Sequence, residues 1–113
     1  MLCEVSERAE RLAANEAVFR AGNDAIEANT SNGRAGELVV LCECGTEACF
    51  ERIALTREEY EAVREHPARF FVIPGHEDLS TGEVVVEAES NRYSVVEKRG
   101  EGRRVAERTN PRA

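Results

Sequence analysis

Aromatic residues are scarce in this chain of 113 residues: there is no tryptophan, and four phenylalanines and two tyrosines make up 5% of it. A core must therefore be assembled from Val, Leu, Ile and Ala around those few rings. At this length there is room for one modest core and not two. Long apolar runs are also missing. None approaches the ~18–20 residues needed to cross a bilayer, which excludes a membrane-spanning helix. The first residues show no basic segment followed by an apolar one, so a soluble, cytoplasmic protein is expected. Lysine is nearly absent, fourteen of the fifteen basic residues being Arg, as a GC-rich coding sequence would give.

Positive charge is in deficit. A net charge of −7 and a pI near 4.9 argue against nucleic acid as a partner, because phosphate contacts need a basic surface. The deficit is uneven. Lys98, Arg99, Arg103, Arg104, Arg108 and Arg112 against Glu101 and Glu107 give residues 98–113 a net +4, which leaves −11 for residues 1–97. This basic segment reads as a solvated edge strand and tail, or as a docking patch for an acidic protein partner.

Residues 4–29 contain no proline, are rich in Ala, Glu and Arg, and predict one long helix interrupted only by Gly22. Val5, Leu12, Phe19 and Ile26 recur every seven positions and mark its apolar stripe. The companions Ala9, Glu16 and Asn23 are too polar for a strong coiled-coil seam, so the stripe is expected to dock on the protein's own sheet, with a dimer or partner contact as the alternative. Residues 29–36 form a polar, Gly-containing loop read as a hinge.

Leu38 to Cys42 and Glu51 to Leu55 are short β-prone runs that can pair as a hairpin around the cysteine loop. Thr56-Arg57-Glu58-Glu59 is a capping-box start for a short helix that Pro67 ends. Arg69 to Ile73, Glu83 to Glu89 and Arg92 to Lys98 predict further strands, and Arg103 to Arg108 a fifth, as an antiparallel meander with one solvated face. The fold class expected is α+β: a long N-terminal helix over residues 1–30, and a zinc-binding core over residues 37–113 with a small, mostly antiparallel sheet, in a single domain overall.

Cysteine is the exception to scarcity. Cys42, Cys44 and Cys49 fall within eight residues on a polar loop, which burial as small hydrophobes does not explain. In a reducing compartment such clusters are metal ligands or redox thiols before they are structural disulfides. Cys-x-Cys-Gly sets two sulfurs on a tight turn where Gly45 can take a positive φ, and Cys49 can close the loop. Three thiolates and an imidazole suit Zn2+. His76, after the Pro74-Gly75 turn, is the expected fourth ligand, with Glu77 or Asp78 able to accept from its other ring nitrogen. His66, at a helix end where the dipole alone accounts for it, and Cys3 are the alternatives.

Several stretches together resemble a group of short actinobacterial proteins that has no established activity. They are Asn15 to Arg20, Cys-Glu-Cys-Gly-x-x-x-Cys, Glu51 to Thr56, Glu59 to Arg64, Val72-Ile73-Pro74-Gly75-His76-Glu77 and Tyr93 to Lys98. The resemblance covers about residues 15–113 and implies a bacterial cytoplasmic setting and His76 as a ligand.

No catalytic constellation accompanies the cluster. The deaminase pattern of His-x-Glu with Pro-Cys-x-x-Cys is missing, and His76-Glu77 lacks the second His of a zinc-protease helix. A filled site of three thiolates and one His is a poor Lewis acid. The function expected is a small zinc-stabilised binding or regulatory module. It would meet a protein partner through the N-terminal helix or the basic C-terminal segment, and a homodimer is one form of that contact. A thiol-based redox switch is the alternative, and a metal enzyme a distant third.

Overall fold

The computed structural model describes residues 4–30, 37–46, 49–89 and 91–112, leaving aside the side chains of residues 4–6, 81 and 89. Cys3, the Val5 side chain and most of the expected hinge therefore lie outside the described residues.

The proline-free run of helix formers folds as α1, Glu4–Asn29, with the predicted bounds. Gly22 lies on its exposed side with no atom within 4 Å of where a Cβ would stand, so it lowers helix propensity without breaking the helix. The buried face is not the predicted one. Leu12, Phe19 and Ile26 are half-buried, while Ala9, Ala13, Glu16, Arg20, Asn23 and Glu27 form the buried stripe. Polar side chains can occupy that face because each meets a partner. Arg20 donates to the carbonyls of Pro67 (2.7 Å) and Ala106 (2.9 Å). The Asn23 amide donates to the Leu41 carbonyl and its oxygen accepts from the Leu41 N–H, both at 2.9 Å. Among the described residues no helix is long and apolar enough to cross a membrane.

β1 (Glu37–Leu41) and β2 (Arg52–Thr56) pair antiparallel from Glu37↔Thr56 to Leu41↔Arg52, the hairpin expected around the cysteine loop. Alternation turns Leu38, Val40, Ile53 and Leu55 into the core. Both halves of the capping box form at α2 (Arg57–Arg64): the Glu59 amide donates to Thr56 Oγ1 (3.0 Å) and the Thr56 amide to Glu59 Oε1 (2.9 Å).

β3 (Arg69–Val72), β4 (Val84–Glu89) and β5 (Tyr93–Glu97) make a second antiparallel sheet in the order β3-β5-β4. The strands are thus not laid side by side in chain order as in a simple meander. β5 takes the centre because Tyr93 to Val96 can be buried on both faces. β4 takes an edge, with Val84, Val85 and Val86 exposed and a register shift between Val85 and Glu87, a device that blunts strand edges. Tyr60 stacks on Phe71 (5.6 Å), and Tyr93 meets Phe71 edge-on (5.3 Å), so these rings share one core cluster with Phe70, while Phe19 and Phe50 pair with each other outside it.

The fifth strand expected at Arg103 to Arg108 is instead helical, within α3 (Gly100–Arg108). The decisive pattern is Gly102, Val105 and Ala106, buried at i, i+3 and i+4. A Cβ on Gly102 would stand 3.7 Å from the Ala9 carbonyl oxygen and 3.9 Å from the Ala13 Cβ, so α3 approaches α1 through small residues. Its exposed face carries Glu101–Arg104 and Arg103–Glu107 pairs at helical spacing. Arg99 and Arg103 also reach Glu97, and Arg112 bonds Asp24, Glu27 and Glu61. Much of the basic charge after β5 is therefore used within the molecule. The architecture is α+β.

Candidate metal centre

β1 runs straight into the cysteine loop. The Cys42 amide donates to the Glu51 carbonyl (2.8 Å), one step past the last hairpin pair. In extended backbone successive side chains point to opposite sides, so Cys42 and Cys44 face one way and Glu43 the other. Glu43 is fully buried. Its carboxylate accepts from Arg64 (2.7 Å), from Asn23 Nδ2 (2.7 Å) and from the Phe71 amide (3.0 Å), while its own amide donates to the Phe71 carbonyl (2.7 Å). Arg64 lies over the Tyr60 ring at 5.0 Å. The middle residue of Cys-x-Cys thus pins the loop to α1, α2 and the edge of β3.

Gly45 turns the chain at φ 75°, where a Cβ would stand 2.9 Å from both Leu12 Cδ1 and Glu16 Cγ. Glycine is required there twice over, by backbone angle and by space. From the other half of the chain, Gly75 at φ 97° and the His76 amide bonded to the Ile73 carbonyl (2.9 Å) bring His76 to the same place. The Glu77 carboxylate, considered as a support for the ring, is turned back onto the Gly75 amide (3.1 and 3.2 Å).

Cys42, Cys44, Cys49 and His76 offer four ligand atoms that all lie within 4.8 Å of one another and could hold a metal ion. His76 Nδ1 stands 3.6 Å from Cys42 Sγ and 3.6 Å from Cys49 Sγ. In a tetrahedron with metal–sulfur bonds of about 2.3 Å and metal–nitrogen bonds of about 2.0 Å, the edges are roughly 3.5–3.8 Å. The spacing matches such an edge. Each sulfur also has amide donors: Ile73 (3.2 Å) and Cys44 for Cys42, Thr46 for Cys44, Glu51 for Cys49. Donors of this kind favour thiolate over thiol.

Without a cation the three sulfurs differ. Burial pushes the Cys42 thiol up, and more weakly that of Cys49. Burial also raises Cys44, but hydrogen bonds from the Thr46 hydroxyl and amide, together with those to His76 and Cys49, outweigh it and bring the thiol down to about 7. Cys42 and Cys44 are buried. Cys49 and His76 are half-buried and line a cleft of about 340 Å3 with Thr46, Gly75, Glu77 and Asp78.

His66 is exposed in the turn after α2 and is not part of the cluster. Sequence reasoning did not single out Glu43, which is buried against Arg64 and is an anchor. It also passed over Lys98, whose signal was available: it is the single lysine. Its Nζ, fully buried, reaches Glu16 (2.8 Å) and Glu83 (2.7 Å), a spherical arrangement that suits a compact ammonium better than a planar guanidinium. The other Glu83 oxygen accepts from the Asp78 amide (2.7 Å), which holds the segment following His76. Compared with protein-family models, curated proteins and solved structures, the chain finds no match in any of the three.

Proposed function

We propose that the protein is a small zinc-stapled module that presents a fixed surface to a protein partner, with Zn2+ held by Cys42, Cys44, Cys49 and His76 in a structural role. The observation that carries this reading is the gathering of three amide-supported sulfurs and one imidazole nitrogen within 4.8 Å of one another, with His76 Nδ1 at the edge length of a zinc tetrahedron, 3.6 Å, from Cys42 and Cys49. Four protein ligands fill the metal and leave no position for substrate. Three thiolates against a divalent ion give the site a net −1 charge, which makes a weak Lewis acid and a good staple.

The position of the site supports the same role. Cys42, Cys44 and Cys49 belong to the end of the β1–β2 hairpin, and His76 follows β3 of the other sheet. A metal there joins the two sheets at a point where the chain otherwise offers loops. In a thin core such a bond supplies folding free energy directly. The outer face of α1, or the Arg residues after β5 that remain exposed, would then meet the partner, in the bacterial cytoplasm that the sequence resemblance implies.

Native mass spectrometry of the protein as purified should show one zinc per chain and gives the subunit number in the same measurement. Complete chelation should abolish the cooperative thermal transition. A metal-free chain that still unfolds cooperatively at the same temperature overturns the structural role.

A further inference from the structure

We infer that Cys49 is the modification site of this centre, the sulfur that an uncharged hydroperoxide oxidises first, and that Cys44 then closes a disulfide with it and releases the metal. This rests on the zinc reading above and adds how that site is regulated.

Access singles out Cys49. Cys42 and Cys44 are 1% and 3% exposed, whereas Cys49 is half-buried and opens on the cleft beside His76. An oxidant reaching the cluster from solvent meets Cys49 before the other two sulfurs. Glu77 and Asp78 also line the cleft, so an uncharged peroxide enters more readily than an anionic oxidant.

The hairpin tip selects the second sulfur. Leu41 pairs with Arg52, and the Cys42 amide reaches the Glu51 carbonyl; past that last pair the Cys44 and Cys49 side chains are in hydrogen-bond contact. The Cys49 amide also donates to the Thr46 carbonyl (3.1 Å), closing the tip that such a disulfide would lock. Cys42 is held from the far side by the Ile73 amide, which ties it to β3.

The chemistry balances. The Cys49 thiolate attacks one peroxide oxygen; the S–O bond forms, the O–O bond breaks and hydroxide leaves. The Cys44 thiolate attacks the resulting sulfenic sulfur; the S–S bond forms, the S–O bond breaks and a second hydroxide leaves. Two electrons pass from the sulfurs to the peroxide, and a thiol reductant reverses the disulfide. Only Cys42 and His76 then remain as ligands, so the zinc departs and the His76 turn is freed while the hairpin tip stays closed.

The sequence makes the test direct, because cleavage after Glu43, Glu47 and Glu51 places Cys42, Cys44 and Cys49 in three different peptides, and cleavage after Glu4 separates Cys3. Zinc-loaded protein is treated with limiting hydrogen peroxide in the presence and absence of dimedone, with released zinc read by a chromogenic chelator. Dimedone should label Cys49 at least about tenfold ahead of Cys42 and Cys44. Without dimedone, the peptides of residues 44–47 and 48–51 should be joined, with one zinc released per disulfide and recovered on reduction. First labelling at Cys42 or Cys44, a disulfide through Cys42, or oxidation without zinc release overturns this assignment alone. A chain that takes up no zinc before peroxide is added overturns the zinc reading, and this one with it.

Discussion

Two groups of polar side chains in this molecule are each drawn around a single point, and they differ in what stands there. Between α1, β5 and the start of β4, Glu16 and Glu83 close on Lys98 Nζ at 2.8 and 2.7 Å, and the cation is part of the chain. At the hairpin tip, Cys42, Cys44, Cys49 and His76 surround a point that an added cation would fill. One half of the molecule carries its own charge balance. The other, loaded as proposed, would draw it from its surroundings and give it up again, which would make it the half fit for regulation. A buried ion pair seldom outperforms well-packed apolar residues, but it penalises heavily the loss of one partner. A structural metal, by contrast, contributes on the order of 10 kcal/mol to the folded state of a small domain.

The largest effect that would break this comparison comes from Lys98→Met. It leaves Glu16 and Glu83 facing each other in the interior with no cation between them and should lower the stability of the zinc-loaded protein by about 3–5 kcal/mol in chemical denaturation, with zinc still bound at one per chain. Loss of zinc from the folded variant would show that the two regions are one, linked through Glu83 and the Asp78 amide. Next in size is Gly45→Ala, at the place where the regions touch. The new Cβ would meet Leu12 Cδ1 and Glu16 Cγ at 2.9 Å and the Leu12 carbonyl oxygen at 3.2 Å, at a φ of +75°. The two side chains can shift, but the carbonyl and the backbone angle cannot, so about 2–3 kcal/mol should be lost. A substitution that costs less than about 0.5 kcal/mol would mean that α1 is free to move away from the knuckle.

The same comparison explains what could be read in the sequence. The metal-centre residues were legible because three cysteines in eight residues have no use in a core, and because a Pro-Gly turn fixes where His76 goes. α1 and the capping box of α2 were legible because their signals are local: helix formers without proline, and Thr56 paired with Glu59 three positions on. The buried face of α1 was not. Glu16, Arg20 and Asn23 carry no hydrophobic signal, and their partners Lys98, Ala106 and Leu41 lie 18 to 86 residues away. α3 was missed for a related reason. Its buried positions are Gly102, Val105 and Ala106, of which only Val105 is large enough to register, and a lone valine among arginines fits a strand as well as a helix. The strand order escaped because local patterning marks strands without naming their neighbours.

The smallest expected effect concerns pH, and it separates the two regions by sign. Burial raises the Glu16 carboxyl from 4.5 to about 8, against the opposing pull of Lys98. A group whose folded pKa is raised contributes stability that is full below its unfolded value and lost as pH rises through the folded one. From pH 5 to 8 the native state therefore holds a proton that the unfolded chain releases, and Glu16 makes the protein less stable as pH rises. Lys98 does not cancel this: although burial works against its charge, Glu16 and Glu83 hold its pKa above the ordinary value of 10.5, so it stays charged throughout that range. The proposed zinc site would run the other way, because its sulfurs must lose protons to bind and metal binding strengthens with pH. Stability measured at saturating zinc for the wild type and for Glu16→Gln separates the two trends, since both proteins share the metal. Between pH 6.5 and 8 the wild type should lose about 1–2 kcal/mol relative to the variant. A difference that stays flat, or that moves in favour of the wild type, would mean that Lys98 keeps Glu16 ionised even at pH 5.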